Sequence, residues 1–498
     1  MSESTHTEQG MIDACSKPPR RAGRLAAISR ADFIGIGGCG MSGLARMLHS
    51  LGIETSGSDA QTSPVTDALM AQGLSIRTVQ DGIGLPSNLD LLVTSAAIAP
   101  DHPEVLAAEQ RGIEIRTYAE VLGMVQEGRT GVSIAGTHGK STTAAMLCHI
   151  LVSCGFDPSF IIGANCDQIG GGSRTGADTI PPNGPLAGDP GILVCEACEF
   201  NRSFHQHRPT VALINNIEED HLDIYGSLDS IIDAFREFAL KLPPAEDGGS
   251  LLIAHDEAHR HHITPPLSCH VATFGFHPEA DYQVEWNPAV QRTGILRDGM
   301  WTAQWTNPMP GAHNALNAAA AVILAHQLGA EWDDAAEAMA AFKGLDRRTQ
   351  RLGTRTVDGG SVIVYDDYGH HPTEIERTLK ALRNHEQPER LICVFQPHQH
   401  SRTRFLLEQF AESFAQADEV LVPPIYFVRD SEAEKHRVSA VDLVRRLQDR
   451  GTAARHVDTF DAIVEILEQD LVAGDLLVIM GAGPVWTIGR DYLDRSTP

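Results

Sequence analysis

The sequence predicts an α/β fold of three domains, and three observations carry that prediction. Two short apolar runs, beginning at Phe33 and at Val132, each pass through a glycine-containing turn into a helix-forming segment. A third alternation of strand and helix patterns begins near Gly344. The chain has 498 residues, and at roughly 100 to 200 residues per domain that length makes about three domains. The expected architecture is a Rossmann-like N-terminal domain, a central P-loop ATPase-like domain with added antiparallel strands, and a Rossmann-like C-terminal domain.

Composition narrows the class. Acidic residues outnumber basic ones 65 to 39, for a formal charge of −26, which argues against nucleic acid and against an anionic membrane surface as partners. No apolar run is long enough for membrane insertion and no signal peptide opens the chain; nine scattered cysteines form no framework, so a reduced, cytoplasmic protein is expected. Cys195 and Cys198 have C-x-x-C spacing, but they lie in an apolar strand-like run without a second pair and read as core. Residues 1–30 are polar and aperiodic and read as a disordered leader.

The first domain is placed at 31–128. Gly35, Gly37 and Gly40 satisfy G-x-G-x-x-G between a strand and a helix carrying Leu44, Ala45 and Leu48, and Asp59 follows where a dinucleotide fold puts its ribose acid. Taken alone, this fingerprint suggests a nicotinamide-dependent oxidoreductase, although the same glycines would cradle any diphosphate. Further strands are expected at 91–94 and 113–115, with Ser95 at a strand's C-terminal end, where ligands collect.

The central domain is placed at 129–343. Its opening stretch runs from Val132 through Gly136-Thr137-His138-Gly139-Lys140-Ser141 into a helix with Met146, Leu147, Ile150 and Leu151 on one face. Two glycines let backbone N–H groups turn toward an anion, Lys140 adds a point charge, and Ser141 offers a hydroxyl for Mg²⁺. The loop is shorter than G-x-x-x-x-G-K-[ST], since Ile134 stands where the first glycine belongs. Glu196 lies in a buried strand pattern and needs a partner, which Mg²⁺ would supply. The run from Val211 ends in acids and His221, hard oxygen ligands with one imidazole. Between Leu251 and Trp305 the short β-rich runs 271–274, 282–286 and 301–305 read as an antiparallel addition. His313, Asn314 and Asn317 crowd the start of a long alanine-rich helix, as caps or as hydrogen-bond partners of a base.

The third domain is placed at 344–498, with strands expected at 362–365, 391–395, 419–422 and 476–479. Polar residues gather after the first two, at 366–374 and 396–404, and aim acids, histidines and arginines at one crevice. The alternating histidines His398 and His400 lack the companions of a metal site.

Four blocks in this order, Gly136 to Lys140, Asn216 to His221, Gly311 to Asn317 and Asp366 to Pro372, resemble the Mur ligase family, and the resemblance runs from Phe33 to the C-terminus. It implies an ATP-dependent ligase of peptidoglycan precursor synthesis, with ATP and Mg²⁺, that joins the lactyl carboxylate of UDP-N-acetylmuramate to L-alanine through an acyl phosphate. A relative joining a peptide to the same sugar nucleotide is the alternative. By resemblance Gly37, Gly38, Gly40, Met41 and Ser42 lie near the UDP diphosphate, with Ser58, Asp59 and Ser95 close by. Gly136, Thr137, His138, Gly139, Lys140, Ser141 and Thr142 would hold the ATP phosphates, Glu196 and His221 join Ser141 at Mg²⁺, and His313, Asn314 and Asn317 take the adenine side. Asp366, Asp367 and Arg348 would meet the rest of the nucleotide. His370 and Arg402 would receive the amino acid, with His370 assisting removal of its proton. Two positions depart from the family pattern: Gln399 stands where relatives often carry arginine, and Arg236 where sister ligases place a carbamylated lysine.

Overall fold

The computed structural model describes residues 23–95, 97–181, 186–428 and 430–495. Of the leader expected over 1–30, positions 1–22 lie outside the described residues. Positions 23–30 belong to the first domain instead: Gly23–Ala27 form a 3-10 turn, Leu25 is buried in the first-domain core, and Arg24 pairs with Glu127 at 2.9 Å.

The first sheet contains β1 (Arg30–Ile34), β2 (Glu54–Ser58), β3 (Ser75–Arg77), β4 (Leu91–Thr94) and β5 (Glu114–Thr117), in the order β3-β2-β1-β4-β5 and parallel throughout. Phe33, Leu91 and Val93 from its strands bury against Leu44, Ala45 and Leu48 of the helix Cys39–Ser50. That is half of a doubly wound sheet, and it leaves the glycine turn at the carboxyl ends of the strands.

The central sheet has ten strands: β6 (Thr130–Ala135), β7 (Ser159–Ile161), β8 (Ser173–Arg174), β9 (Ile192–Ala197), β10 (Val211–Ile214), β11 (Ser250–Ala254), β12 (His270–Gly275), β13 (Tyr282–Asn287), β14 (Arg292–Arg297) and β15 (Met300–Thr306). The antiparallel addition is smaller than the sequence suggests. β11 and β12 continue the parallel sheet, because helices at Leu228–Ala239 and Arg260–Ile263 carry the chain back before each; β13 also pairs in parallel with β12. Only β13, β14 and β15, and the short β7–β8 pair, run antiparallel.

The helix Lys140–Ser153 is not one-sided as its sequence implies: every residue from Ser141 to Leu151 is buried. The alanine-rich helix Ala312–Gln327 packs along it, and Ala144, Ala145 and Ala318 to Ala321 are fully buried, so small side chains let the two backbones approach.

The third sheet has β16 (Gln350–Val357), β17 (Gly360–Asp367), β18 (Arg390–Phe395), β19 (Glu419–Val422), β20 (Ala453–His456) and β21 (Asp475–Met480), in the order β16-β17-β21-β18-β19-β20. Only β16 is antiparallel to its neighbour. The carboxyl ends of β17 and β18 face the phosphate-loop end of the central domain, as the contacts described next establish. No helix among the described residues is long and apolar enough to cross a membrane.

Candidate functional site

The turn after β6 requires glycine at both of its glycine positions. Gly136 has φ +143° and a Cβ there would stand 3.1 Å from Asn215 Cβ; Gly139 has φ +80° and a Cβ would meet Asn317 Oδ1 at 2.5 Å. Gly139 then starts the helix Lys140–Ser153 with no side-chain cap, so the positive helix end opens on the turn. Lys140 Nζ folds back over it, donating to Gly136 O at 2.6 Å, Thr137 O at 2.9 Å and the two oxygens of Glu199 at 3.2 and 3.0 Å. Burial works against the ammonium, but Glu199 outweighs it and keeps Lys140 above its ordinary range. The loop therefore holds a permanent cation.

Of the three metal candidates, the structure brings two together. Ser141 Oγ donates to Glu196 Oε2 at 3.0 Å, and Glu196 Oε1 accepts from Gly163 N. His221 stands with a neighbouring pair of acids, its Nε2 3.6 Å from Asp220 and 4.0 Å from Glu199, and these three side chains together could hold a metal ion. A hydroxyl and a carboxylate beside a phosphate loop are the hard donors Mg²⁺ takes, and Glu199 and Asp220 add two more carboxylates nearby.

The third domain meets the phosphate loop at His138 and the acidic stretch after β10 at Asp220. His138 Nδ1 lies 3.1 Å from Glu374 Oε1 while its Nε2 lies 3.5 Å from Glu218, and Arg402 Nη2 donates to Asp220 Oδ1 at 3.1 Å. Burial opposes the charge on His138, yet Glu374 and Glu218 hold it up at about 9; Glu218 is held down at about 2, against its own burial, by His138. Burial likewise opposes the Asp220 carboxylate, and Arg402 with neighbouring histidines keeps it well below its usual range.

Beneath the Arg402 contact lies a cleft of about 1070 Å³ lined by Phe200, His221, Tyr368, His370, Gln399 and Arg402. Burial and Arg402 push His370 down to about 3, and its Nδ1 faces Tyr368 O at 3.1 Å. With its Nδ1 turned to Tyr368 O, the neutral His370 ring presents Nε2 as a hydrogen-bond acceptor. Arg236 pairs with Asp233 on the outer side of its helix and is remote from this chemistry.

A second cavity, about 730 Å³, lies between the loop and β17, lined by Gly139, Asn216, Phe274, His313, Arg348 and Asp367, with Thr142 at its floor. His313 faces it and is pushed down to about 4 by desolvation and Arg377. Asn314 and Asn317 also line it, but they hydrogen-bond within the protein: Asn314 Nδ2 donates to Pro310 O, and Asn317 Oδ1 accepts from Thr143 Oγ1 and Asn215 Nδ2. The paired aspartates separate, because neighbours on a strand face opposite ways. Asp367 faces the cavity and accepts from Thr349 N and Gly369 N at 2.6 and 2.7 Å. Asp366 turns away to Arg347 Nε at 3.3 Å, and burial pushes it up to about 6, so its expected nucleotide contact is corrected to a packing role.

In the first domain Gly37, Gly38, Gly40 and Ser95 are accessible at the strand ends. Asp59 does not project toward a ribose; its Oδ2 accepts from Gly37 N at 2.9 Å. The side chains of Met41, Ser42 and Ser58 are buried, and Ser58 Oγ donates to the buried Glu104 and accepts from Gln80 at 3.0 Å.

Comparison with known proteins bears on all three domains. Residues 30–129 match the description "Mur ligase family, catalytic domain", 134–325 "Mur ligase middle domain" and 347–483 "Mur ligase, glutamate ligase domain". The chain belongs to the Mur ligase family. It is 36% identical over 467 residues to a UDP-N-acetylmuramate–L-alanine ligase of Lachnospira eligens, covering 93% of this chain and 97% of the relative. It is 38% identical over 492 residues to the enzyme of the same name from Kineococcus radiotolerans, covering 94% and 97%. A solved UDP-N-acetylmuramate-alanine ligase from Thermotoga maritima has the same fold, with a TM-score of 0.74 at 24% identity over 94% of this chain and 98% of that one. A murein peptide ligase from Psychrobacter arcticus superposes with a TM-score of 0.69 at 24% identity, covering 94% and 100%.

Membership of the Mur ligase family replaces the nicotinamide reading of the first glycine turn, which is a feature of the shared fold. Sequence reasoning missed Glu199, Glu218, Asp220, Glu374 and Thr349 as individuals. Three of them, Glu218, Asp220 and Glu374, sit inside or beside the quoted blocks, and the signal available was the number of acids there, more than one metal ion needs.

Proposed function

We propose that this chain forms an amide between the lactyl carboxylate of UDP-N-acetylmuramate and L-alanine, using ATP. The observation that carries the reading is the junction of phosphate loop and third domain: a cation-bearing loop, a cavity lined by His313, Arg348 and Asp367 on one side and a polar cleft with His370 and Arg402 on the other. The names of the full-length relatives supply the substrates.

A carboxylate is a poor acyl donor because oxide is a poor leaving group, so activation must come first. The lactyl oxygen attacks the γ-phosphorus of ATP, ADP leaves, and an acyl phosphate remains. Lys140 follows the phosphoryl charge once it exchanges Glu199 for the nucleotide, and the uncapped helix end adds backbone N–H donors. Ser141 and Glu196 fit Mg²⁺, which when bound neutralises phosphate charge. Arg402 pairs with the carboxylate of L-alanine while neutral His370 accepts from its nitrogen; once the ammonium has lost a proton to water, the free amine attacks the acyl carbon, the C–O bond to phosphate breaks, and the leaving phosphate carries away the second proton. Gly37, Gly38, Gly40 and Ser95 hold the UDP part.

A ligase for a peptide is the second reading, favoured by Gln399 on the cleft wall, where relatives often carry arginine. ADP release screened over amino acids and a tripeptide, with UDP-N-acetylmuramate present or omitted, separates the two. The proposal expects release with L-alanine that vanishes without the sugar nucleotide; preference for the tripeptide transfers the assignment to the second reading.

A further inference from the structure

We infer that Glu374 is a positioning residue whose single carboxylate ties the phosphate loop, through His138, to the backbone that carries His370, so that the nucleotide and amine sites are held in register. Glu374 stands in the first turn of the helix Pro372–Glu386 and forms a capping box with His371. Its Oε2 accepts from His370 N at 3.0 Å and His371 N at 3.3 Å. Capping needs no more than that one oxygen.

The other oxygen reaches 236 positions back along the chain, to His138 Nδ1 at 3.1 Å. Both side chains are nearly enclosed, 15% and 9% exposed, so the pair is not a solvated accident of two surface groups. The contact is also braced. His138 N donates to Asn216 Oδ1 at 2.8 Å, the His138 and His371 rings lie 4.7 Å apart, and Thr373 Oγ1 donates at 2.6 Å to Glu218, the acid on the far side of His138. Glu374 is held well below the usual carboxylate range by His138, against its burial, so the bridge is an imidazolium facing a carboxylate. His370, four residues before it, lines the proposed amine pocket, and Gly139, Lys140 and Ser141, the three residues after His138, belong to the phosphate loop.

This inference rests on the proposed reading in one respect, that the loop receives a nucleotide. The test is amide hydrogen exchange on the full chain with and without ADP and Mg²⁺, for wild type, Glu374→Gln and Glu374→Ala. Glutamine keeps an oxygen for the His370 and His371 N–H groups but removes the charge that faces His138. In wild type ADP should slow exchange both at 136–140 and at 366–374. In Glu374→Gln the loop stays protected while ADP-dependent protection at 366–374 falls about tenfold and the KM for the amino acid rises by a similar factor, within the range typical of couplings between sites. The melting temperature of Glu374→Gln falls modestly, because Glu218 still faces His138 at 3.5 Å, and that of Glu374→Ala falls further through the lost cap. Equal protection of 366–374 in wild type and Glu374→Gln overturns the inference alone. Absence of any ADP protection at 136–140 in wild type overturns the nucleotide reading and the inference with it.

Discussion

Replacing Lys140 by alanine should damage stability and chemistry for separate reasons, and a second substitution should separate them. Lys140 Nζ contacts both oxygens of Glu199, whose side chain is only 4% exposed. Removing the ammonium strands a buried carboxylate, with the His221 ring 4.0 Å away. Breaking one side of a buried pair costs about 3 to 5 kcal/mol, and the nearby imidazole places this case at the lower end, roughly 3 kcal/mol. For a domain of this size each kcal/mol lowers the melting temperature by about 2 to 4 °C, so a fall of about 10 °C is expected in the central-domain transition. Glu199→Gln in the same chain removes the stranded charge and should restore most of that loss. Turnover behaves differently: the loop cation is gone in both variants, and ADP release should stay down by about 1000-fold, the scale of one preorganised charge-stabilising group. Calorimetry and a coupled ADP assay on wild type, Lys140→Ala and Lys140→Ala/Glu199→Gln read the two effects. Unchanged melting in the single variant would refute the buried-pair argument, and recovered turnover in the double variant would refute the loop's role.

The remaining predictions follow from other parts of the junction. His138 is raised from 6.5 to about 9, so its stabilising contribution is complete below 6.5 and is lost as pH rises through about 9; Glu218 is lowered from 4.5 to about 2, so its share is present above 4.5 and is lost as pH falls toward 2. Melting temperatures measured across that range should decline on the alkaline side, and His138→Gln should flatten the alkaline limb; an unaltered limb counts against the assignment. Asp367→Asn should raise the KM for ATP several-fold, while Asp366→Asn, on the opposite face, should change it by less than about twofold; equal effects would contradict the assignment of faces. Asn317→Ala leaves Thr143 Oγ1 and Asn215 Nδ2 without this acceptor, a cost of about 1 to 3 kcal/mol in stability, and should weaken ADP binding by titration calorimetry.

What the sequence reveals about this molecule divides along the range of the interactions. The phosphate loop is legible because its features are local: Gly136 and Gly139 at positive φ and Lys140 at a helix start are encoded within a few residues. The first glycine turn is equally legible as geometry and misleading as chemistry, since Asp59 spends its carboxylate on Gly37 N. Strand alternation within Asp366-Asp367 says that one aspartate faces the cavity without saying which, and only the β17–β21 pairing settles it. β14 escapes detection because arginines stand at both of its ends and Gly294 occupies its middle, where the Trp301 ring covers the space of a side chain. The pairings that assemble the site, Lys140 with Glu199, His138 with Glu374 and Asp220 with Arg402, join residues 59, 236 and 182 positions apart, and no local pattern encodes them.

The central claim is that the loop bearing Lys140 directs a phosphoryl group onto the sugar-borne carboxylate before the amine arrives. Its most direct test uses UDP-N-acetylmuramate labelled with heavy oxygen in the lactyl carboxylate, turned over with ATP and L-alanine and followed by mass analysis of the released phosphate. The account predicts one labelled oxygen in each phosphate formed. Phosphate that leaves unlabelled while amide accumulates would contradict it.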